Sequence, residues 1–259
     1  MSGTVYLVGA GPGAPDLLTL RAARLLEQAD IVFHDALVHP DTLALAAKAE
    51  KIAVGKRCGK HSTVQKFINK RLVDAAHKHA LVVRLKGGDP MLFGRAQEEI
   101  DALSRAGIAF EVVPGITAAL AASAQVGVSL TRRGLSRNVA FVTPRVGQTE
   151  HASDWAASAI AADTAAIYMG VGQAAMISAT LIARGLPAAT PAAILENVSL
   201  PGASVRYGTL AGLADLAAAA GSGPAVILLG EVLREKRDAQ ITVVRDKGDK
   251  GDKRRLVTA

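Results

Sequence analysis

The sequence predicts an α/β fold of two successive domains, each a parallel or mixed sheet flanked by helices, with ligand held in the cleft between them. Three observations carry this expectation. Short apolar runs rich in Val, Ile and Leu alternate with segments of helical spacing along most of the chain. In the first half those runs end in glycine, acid or base, as loops at the carboxyl edge of a parallel sheet do. The pattern then restarts after Pro114-Gly115-Ile116-Thr117. The expected division is therefore 1–114, 115–235 and a basic, Gly-interrupted tail over 236–259, whose composition predicts no packed core.

Taken in order, Val5–Val8 reads as a strand running into Gly9-Ala10-Gly11-Pro12-Gly13-Ala14-Pro15, and Leu17–Ala29 carries helical spacing through Leu18, Ala22, Leu25 and Leu26. Ile31–Phe33 is the next strand and ends on His34-Asp35. Gly9, Gly11 and Ala14 satisfy a dinucleotide-binding pattern, with Asp35 near the place of a ribose-binding acid. Against that reading, Gly13 and Pro15 fall where the first helical turn must pack on the strand, and Pro15 has no N–H to offer a pyrophosphate. Ile52–Val54 ends in Gly55-Lys56-Arg57-Cys58-Gly59-Lys60-His61, a compact cationic loop that is either a solvated turn or a site for carboxylates or phosphates. Ser62 or Thr63 is a candidate cap for the helix through Phe67, Ile68, Leu72 and Val73.

The apolar run Leu81–Val83 reads as a short buried strand and leads into Arg84-Leu85-Lys86-Gly87-Gly88-Asp89-Pro90, the stretch the chain is organised around, and Gln97–Leu103 follows as a surface helix. The adjacent glycines let a flat ligand lie against backbone, although an ordinary turn uses the same residue types. Phe110–Val113 closes on Pro-Gly-Ile-Thr, and Thr117–Val126 is an Ala-rich helix. Four further apolar runs, Val139–Val142, Ala165–Met169, Ala192–Leu195 and Ala225–Leu229, build the second unit.

Half of the 259 residues are apolar, enough for a sizeable core, and only 3% are aromatic. Of the formal charge of +7, eight cations against four acids after Glu235 account for +4, leaving about +3 on the body. A mildly basic body suits an anionic substrate. Cys58 is the only cysteine, so an internal disulfide is excluded and a reducing cytoplasm is expected. Thr4–Gly9 runs straight into a strand and turn, which predicts no signal peptide. Val112–Thr131 and Thr164–Ala183 reach the length of a membrane span, but Gly, Gln, Ser and Pro114 interrupt them, and buried core is expected instead. The scarcity of aromatics argues against a nucleic-acid-binding module, which would rest on the basic tail alone. No metal-ligand spacing occurs among the six histidines, so no metal is expected.

Read together, V-G-A-G-P-G from Val8, H-D-A-L-V from His34, V-G-K-R from Val54, R-L-K-G-G-D-P-x-x-F-G-R from Arg84, V-P-G-I-T-A from Val113 and Y-M-G from Tyr168 resemble the uroporphyrinogen-III C-methyltransferases of the tetrapyrrole methylase family. The likeness covers roughly Thr4 to Glu235. It implies the two-domain tetrapyrrole methylase fold, a homodimer, and a stand-alone enzyme without a dehydrogenase–ferrochelatase module. It further implies S-adenosyl-L-methionine as methyl donor, S-adenosyl-L-homocysteine as product, and uroporphyrinogen III and precorrin-1 as substrates.

Carried over residue by residue, the resemblance puts the donor at Pro12, Gly87, Gly88, Asp89, Leu92, Thr117, Ala118, Met169, Val198 and Ala225. Asp35 takes the place of the proton acceptor and Lys56 that of the proton donor. Arg57, Lys60, Arg95, Arg132 and Arg133 are candidate partners for the carboxylates of the substrate, since guanidinium grips carboxylate bidentately. The chain departs from the family pattern at Ala14, where Asp is frequent, and at Met91, where an aromatic is usual. Two other readings compete: another methylase of the corrin pathway, and, from a different class, a flavin or nicotinamide oxidoreductase resting on Gly9–Ala14 and Asp35.

Overall fold

A computed structural model describes residues 2–54, 61–147 and 153–239. The chain divides into two compact units, one reaching Ala121 and including Val198–Gly202, the other holding Ala122–Asn197 and the chain from Ala203 on. The division falls inside a helix, just after the Pro114–Thr117 turn.

In the first unit the strands β1 (Thr4–Gly9), β2 (Ile31–His34), β3 (Glu50–Ala53), β4 (Leu81–Lys86) and β5 (Phe110–Val113) form one sheet in the order β3-β2-β4-β1-β5, and every pair is parallel. Parallel neighbours need crossovers, and the chain supplies them as α1 (Leu20–Gln28), the short α2 (Pro40–Ala44), α3 (His61–Ala76) and α4 (Ala96–Arg105). Val5, Leu7 and Val82 pack with α3 and α4 on one face, while Val8, Val83 and Leu85 pack with α1 on the other. The central strands thus bury both faces, as strands of a covered parallel sheet do. α1 begins later than its spacing predicts: Pro15–Leu17 is a separate 3-10 turn, and the Thr19 hydroxyl accepts the Ala22 N–H at 3.1 Å to start the helix. α4 carries Glu98 and Glu99 in its first turn and Arg105 in its last, each matched to the helix dipole.

The second unit contains α5 (Ala118–Val126) in part, then β6 (Val139–Val142), α6 (Trp155–Ala161), β7 (Thr164–Tyr168), α7 (Ala174–Ala183), β8 (Pro191–Glu196), β9 (Ser204–Thr209), α8 (Leu213–Ala218) and β10 (Ala225–Gly230). Its sheet is mixed, in the order β6-β7-β10-β8-β9, with only β6 and β7 parallel. The apolar runs do not announce β9. It is an edge strand, half-buried along its length, in which Arg206 and Gly208 break the apolar signal. Otherwise the predicted α/β class with two sheets flanked by helices is what the chain adopts. Among the described residues no helix is long and apolar enough to cross a membrane.

At the end of β8 the buried Glu196 fastens the α8–β10 turn, accepting the Gly221 and Gly223 N–H groups at 2.9 and 2.8 Å. These two bonds, with Arg206 nearby, hold its carboxyl below the ordinary glutamate value of 4.5. A depressed folded-state value means the contribution to stability is complete above that ordinary value and lost as pH falls through the lower, folded one. Glu196→Gln should therefore flatten the acid limb of the stability–pH curve measured by urea denaturation. An unchanged acid limb would show that Glu196 does not carry it.

Candidate functional site

Because β1 lies between β4 and β5, three turns leave the same edge of the first sheet side by side: Gly9–Pro12, Gly87–Pro90 and Pro114–Thr117. The first two are stitched together. The Ala10 N–H donates to the Lys86 carbonyl at 2.7 Å, the Gly88 N–H to the Gly11 carbonyl at 2.7 Å, and the Gly11 N–H to the Gly88 carbonyl at 3.2 Å. Where the third turn arrives, backbone packs on backbone. A Cβ on Gly9 would stand 2.6 Å from the Gly115 Cα, and one on Gly115 would run into the Gly88 carbonyl oxygen. Gly88 also needs its freedom, with φ at +67°.

Asp89 locks this junction. Its Oδ2 accepts the Gly115 N–H at 2.9 Å and its Oδ1 the Met91 N–H at 2.8 Å. Asp89→Ala frees both donors and should lower stability by about 2 kcal/mol, read as a shift in the urea midpoint. A shift within error would mean that the turns hold without it. Gly87 differs from its neighbours. It is half-buried, a Cβ there would meet only the Leu37 Cβ at an ordinary 3.5 Å, and among the described residues its backbone makes no backbone hydrogen bond. An N–H and C=O that pair with no described backbone group, beside bare glycine, offer a cradle for a flat, polar ligand.

On β4, Val82, Arg84 and Lys86 share one face, and the last two carry charge into a layer that is otherwise apolar. Both are almost fully buried. Arg84 Nε donates to Glu99 Oε1 at 2.9 Å, Lys86 Nζ to Glu99 Oε2 at 3.0 Å, and Arg84 Nη2 to Asp35 Oδ1 at 2.5 Å. Gln65 Nε2 adds a bond to Glu99 Oε1 at 3.2 Å. Burial by itself would lower the pKa of Arg84, but the charges of Asp35 and Glu99 outweigh it and raise the value further. Burial, helped by the neighbouring Arg84 charge, pulls Lys86 below the usual lysine range.

The remaining expected residues are distributed as follows. Pro12 and Leu92 are half-buried, Thr117 and Val198 are buried, and Ala118 opens α5; all belong to the first unit. Val198 enters that unit with a segment that docks on the glycine turn: Ser199 Oγ accepts the Ala14 N–H at 3.0 Å, and Leu200 covers Gly13. Arg95 precedes α4 with φ of 55° and pairs with Glu98 at 2.6 and 2.8 Å. Met169, with φ of 55°, follows β7, and Ala225 begins β10, both in the second unit. Arg132 and Arg133 are exposed in the second unit, on a turn closed by bonds of 2.9 and 2.8 Å between Arg132 and Ser136, and Arg132 pairs with Glu235 at 2.8 Å. Lys56, Arg57 and Lys60 lie outside the described residues. Among the described residues no group of three or more His, Cys, Asp or Glu is placed to hold a metal ion. No local motif announces the roles of Arg84, Lys86, Glu99, Gln65 and Ser199. The available signal was two cations spaced i, i+2 in an otherwise apolar strand.

Comparison with known proteins identifies the family and the fold. Residues 4–214 match the family model described as Tetrapyrrole (Corrin/Porphyrin) Methylases. A uroporphyrin III C-methyl transferase from Thermus thermophilus, in its native form, superposes with a TM-score of 0.78 at 40% identity, over 90% of this chain and 94% of that one. The same organism's enzyme complexed with S-adenyl homocysteine gives 0.77 at 41% identity, over 90% and 99%. A siroheme synthase of Zymomonas mobilis is 48% identical over 231 residues, 89% of this chain and 49% of that protein. The chain thus spans about half the length of the curated relatives it matches.

Proposed function

The chain belongs to the tetrapyrrole (corrin/porphyrin) methylases, and on that footing we propose that it transfers methyl groups from S-adenosyl-L-methionine to C-2 and C-7 of uroporphyrinogen III, giving precorrin-2 by way of precorrin-1. The observation that carries the reading is the Gly87–Asp89 turn, open at Gly87 and locked at Asp89. Similarity to a structure complexed with S-adenyl homocysteine supports the choice of donor.

When bound, the donor supplies an electrophilic methyl group on a sulfonium. The acceptor carbon needs little activation, because a reduced tetrapyrrole is electron-rich. The task left to the protein is alignment and exclusion of water. Gly87 offers backbone to the donor's polar edge, while Pro12, Leu92, Thr117, Ala118 and Val198 are proposed as its apolar and hydroxyl surroundings in the same unit. Forming the new carbon–carbon bond leaves a cationic macrocycle that must lose a proton. Asp35 is the proposed acceptor, with one side of its carboxylate held by Arg84 and the side chain about a third exposed. Lys56, outside the described residues, is the proposed donor. Arg95 and the cations Arg57, Lys60, Arg132 and Arg133 are proposed partners of the substrate's carboxylates. The resemblance also supports a homodimer in the cytoplasm.

Label transfer from methyl-labelled S-adenosylmethionine tests the reading. The reduced macrocycle should take label, and oxidised uroporphyrin, whose aromatic ring is a poor carbon nucleophile, should take none. Equal labelling of both, or of neither, would contradict it.

A further inference from the structure

We propose that Arg84 is a positioning residue that aims the Asp35 carboxylate, and that Glu99 holds Arg84 in that task. This deepens the reading of Asp35 as proton acceptor and rests on it. One planar guanidinium is pinned on three sides: Nε to Glu99 Oε1 at 2.9 Å, Nη1 to the Leu85 carbonyl at 3.2 Å, and Nη2 to Asp35 Oδ1 at 2.5 Å. With all three in place the group can neither rotate nor slide, so the one carboxylate oxygen it reaches is fixed too. A lysine would carry the charge without the fork.

Glu99 is itself over-determined. Its side chain is 0% exposed, Lys86 Nζ holds Oε2 at 3.0 Å, and Gln65 Nε2 bonds to Oε1 at 3.2 Å. Gln65 also bonds to Asn69 Oδ1 at 3.0 Å, and Asn69 Nδ2 to the Glu98 carbonyl at 3.0 Å, which ties the cluster to α3 and α4. The Lys86 stem passes under Gly94, where a Cβ would come within 3.2 Å of its Cε.

A buried cluster of this kind is a poor choice for stability alone, since apolar residues of similar volume serve as well or better. The same face shows the alternative a few ångströms along: Val82, Leu72 and Leu103 pack there without charge. The cluster instead sits at the end of β4, and its formal charges cancel as two cations against two carboxylates. Its exposure is graded. Arg84, Lys86 and Glu99 have side chains 3% exposed or less, and Asp35 reaches solvent at 32%. A dry, rigid base therefore ends in a single accessible carboxylate. Rigid support of a reacting group by buried neighbours is what a positioning shell provides.

The test is a double-mutant cycle on the whole chain. Arg84→Lys and Glu99→Gln are each made alone and combined with Asp35→Asn. Single-turnover methyl transfer, S-adenosylhomocysteine affinity and thermal melting are measured for every variant. With Asp35 in place, each substitution should slow transfer by about tenfold or more, the cost of a carboxylate displaced by a fraction of an ångström. Combined with Asp35→Asn, the same substitutions should change the rate by less than about twofold, because they act through Asp35. Donor-product affinity should stay level throughout.

Equal fractional losses with and without Asp35 would overturn the proposal, as would wild-type rates for both substitutions. If Arg84→Lys does not fold, Glu99→Gln carries the cycle; if neither folds, the cluster is structural and the proposal falls. A neutral Asp35→Asn in an active enzyme overturns the proposal and leaves methyl transfer standing. A wild type that binds donor product and methylates nothing fails the functional reading itself, and the positioning claim with it.

Discussion

Asp35→Asn should lower the rate of methyl transfer by about 10²- to 10⁴-fold, the range that general-base groups contribute, if Asp35 is the proton acceptor proposed above. The substitution is nearly isosteric. An amide carbonyl still accepts the Arg84 Nη2 donor that now lies 2.5 Å from Oδ1, so the turn after β2 keeps its anchor. What the proposed role would lose is the ability to take a proton from the methylated macrocycle. S-adenosylhomocysteine affinity, measured by calorimetry, should therefore remain within about twofold of wild type, which separates chemistry from binding. An unchanged rate would remove Asp35 from the mechanism. A parallel loss of affinity would make it a structural residue of the site.

Gly115→Ala breaks the site in a different way, through space. The new methyl group collides with the Gly88 carbonyl oxygen and crowds Gly9, whose Cα lies 2.9 Å from the position it would take. Neither neighbour is a flexible side-chain tip; both are backbone of the turns that form the proposed donor cradle. Overpacking of this kind costs about 1 to 3 kcal/mol, and relief requires the Gly87–Asp89 turn to move. Both stability and S-adenosylhomocysteine affinity should fall, the second by about tenfold or more if the cradle shifts by even an ångström. Gly172→Ala is the control, since nothing lies within 4 Å of the added Cβ, and it should change stability by no more than about 0.5 kcal/mol. Equal effects at Gly115 and Gly172 would mean that the close approach of the three turns is unimportant.

The parts of this structure legible in the sequence are those encoded locally. Runs such as Leu81–Val83 and Ala225–Leu229 read as strands because buried parallel or central strands present apolar residues to both faces, and the structure has them within β4 and β10. The paired glycines and Asp89 are visible because strand-end turns need those residue types. β9 was not legible, since an edge strand half-exposed on both faces has no need of an apolar run. The Asp89–Gly115 bond joins residues 26 apart, and the Arg84–Asp35 pair spans 49. Strand order alone decides which turns become neighbours, and β1 falls between β4 and β5 through crossovers that no local pattern specifies. The ionic cluster was half legible: Arg84 and Lys86 stand out within their strand, but their partner Glu99 reads as one more surface acid on an amphipathic helix.

The most direct test of the function proposed for this fold is anaerobic incubation of the protein with uroporphyrinogen III and S-adenosylmethionine, followed by mass spectrometry of the tetrapyrrole. A product heavier by two CH2 units, a methyl gained and a proton lost at each transfer, preceded in time by one heavier by a single such unit, is the predicted result. A tetrapyrrole of unchanged mass, recovered while the protein demonstrably binds S-adenosylhomocysteine, would contradict the assignment of uroporphyrinogen III as substrate.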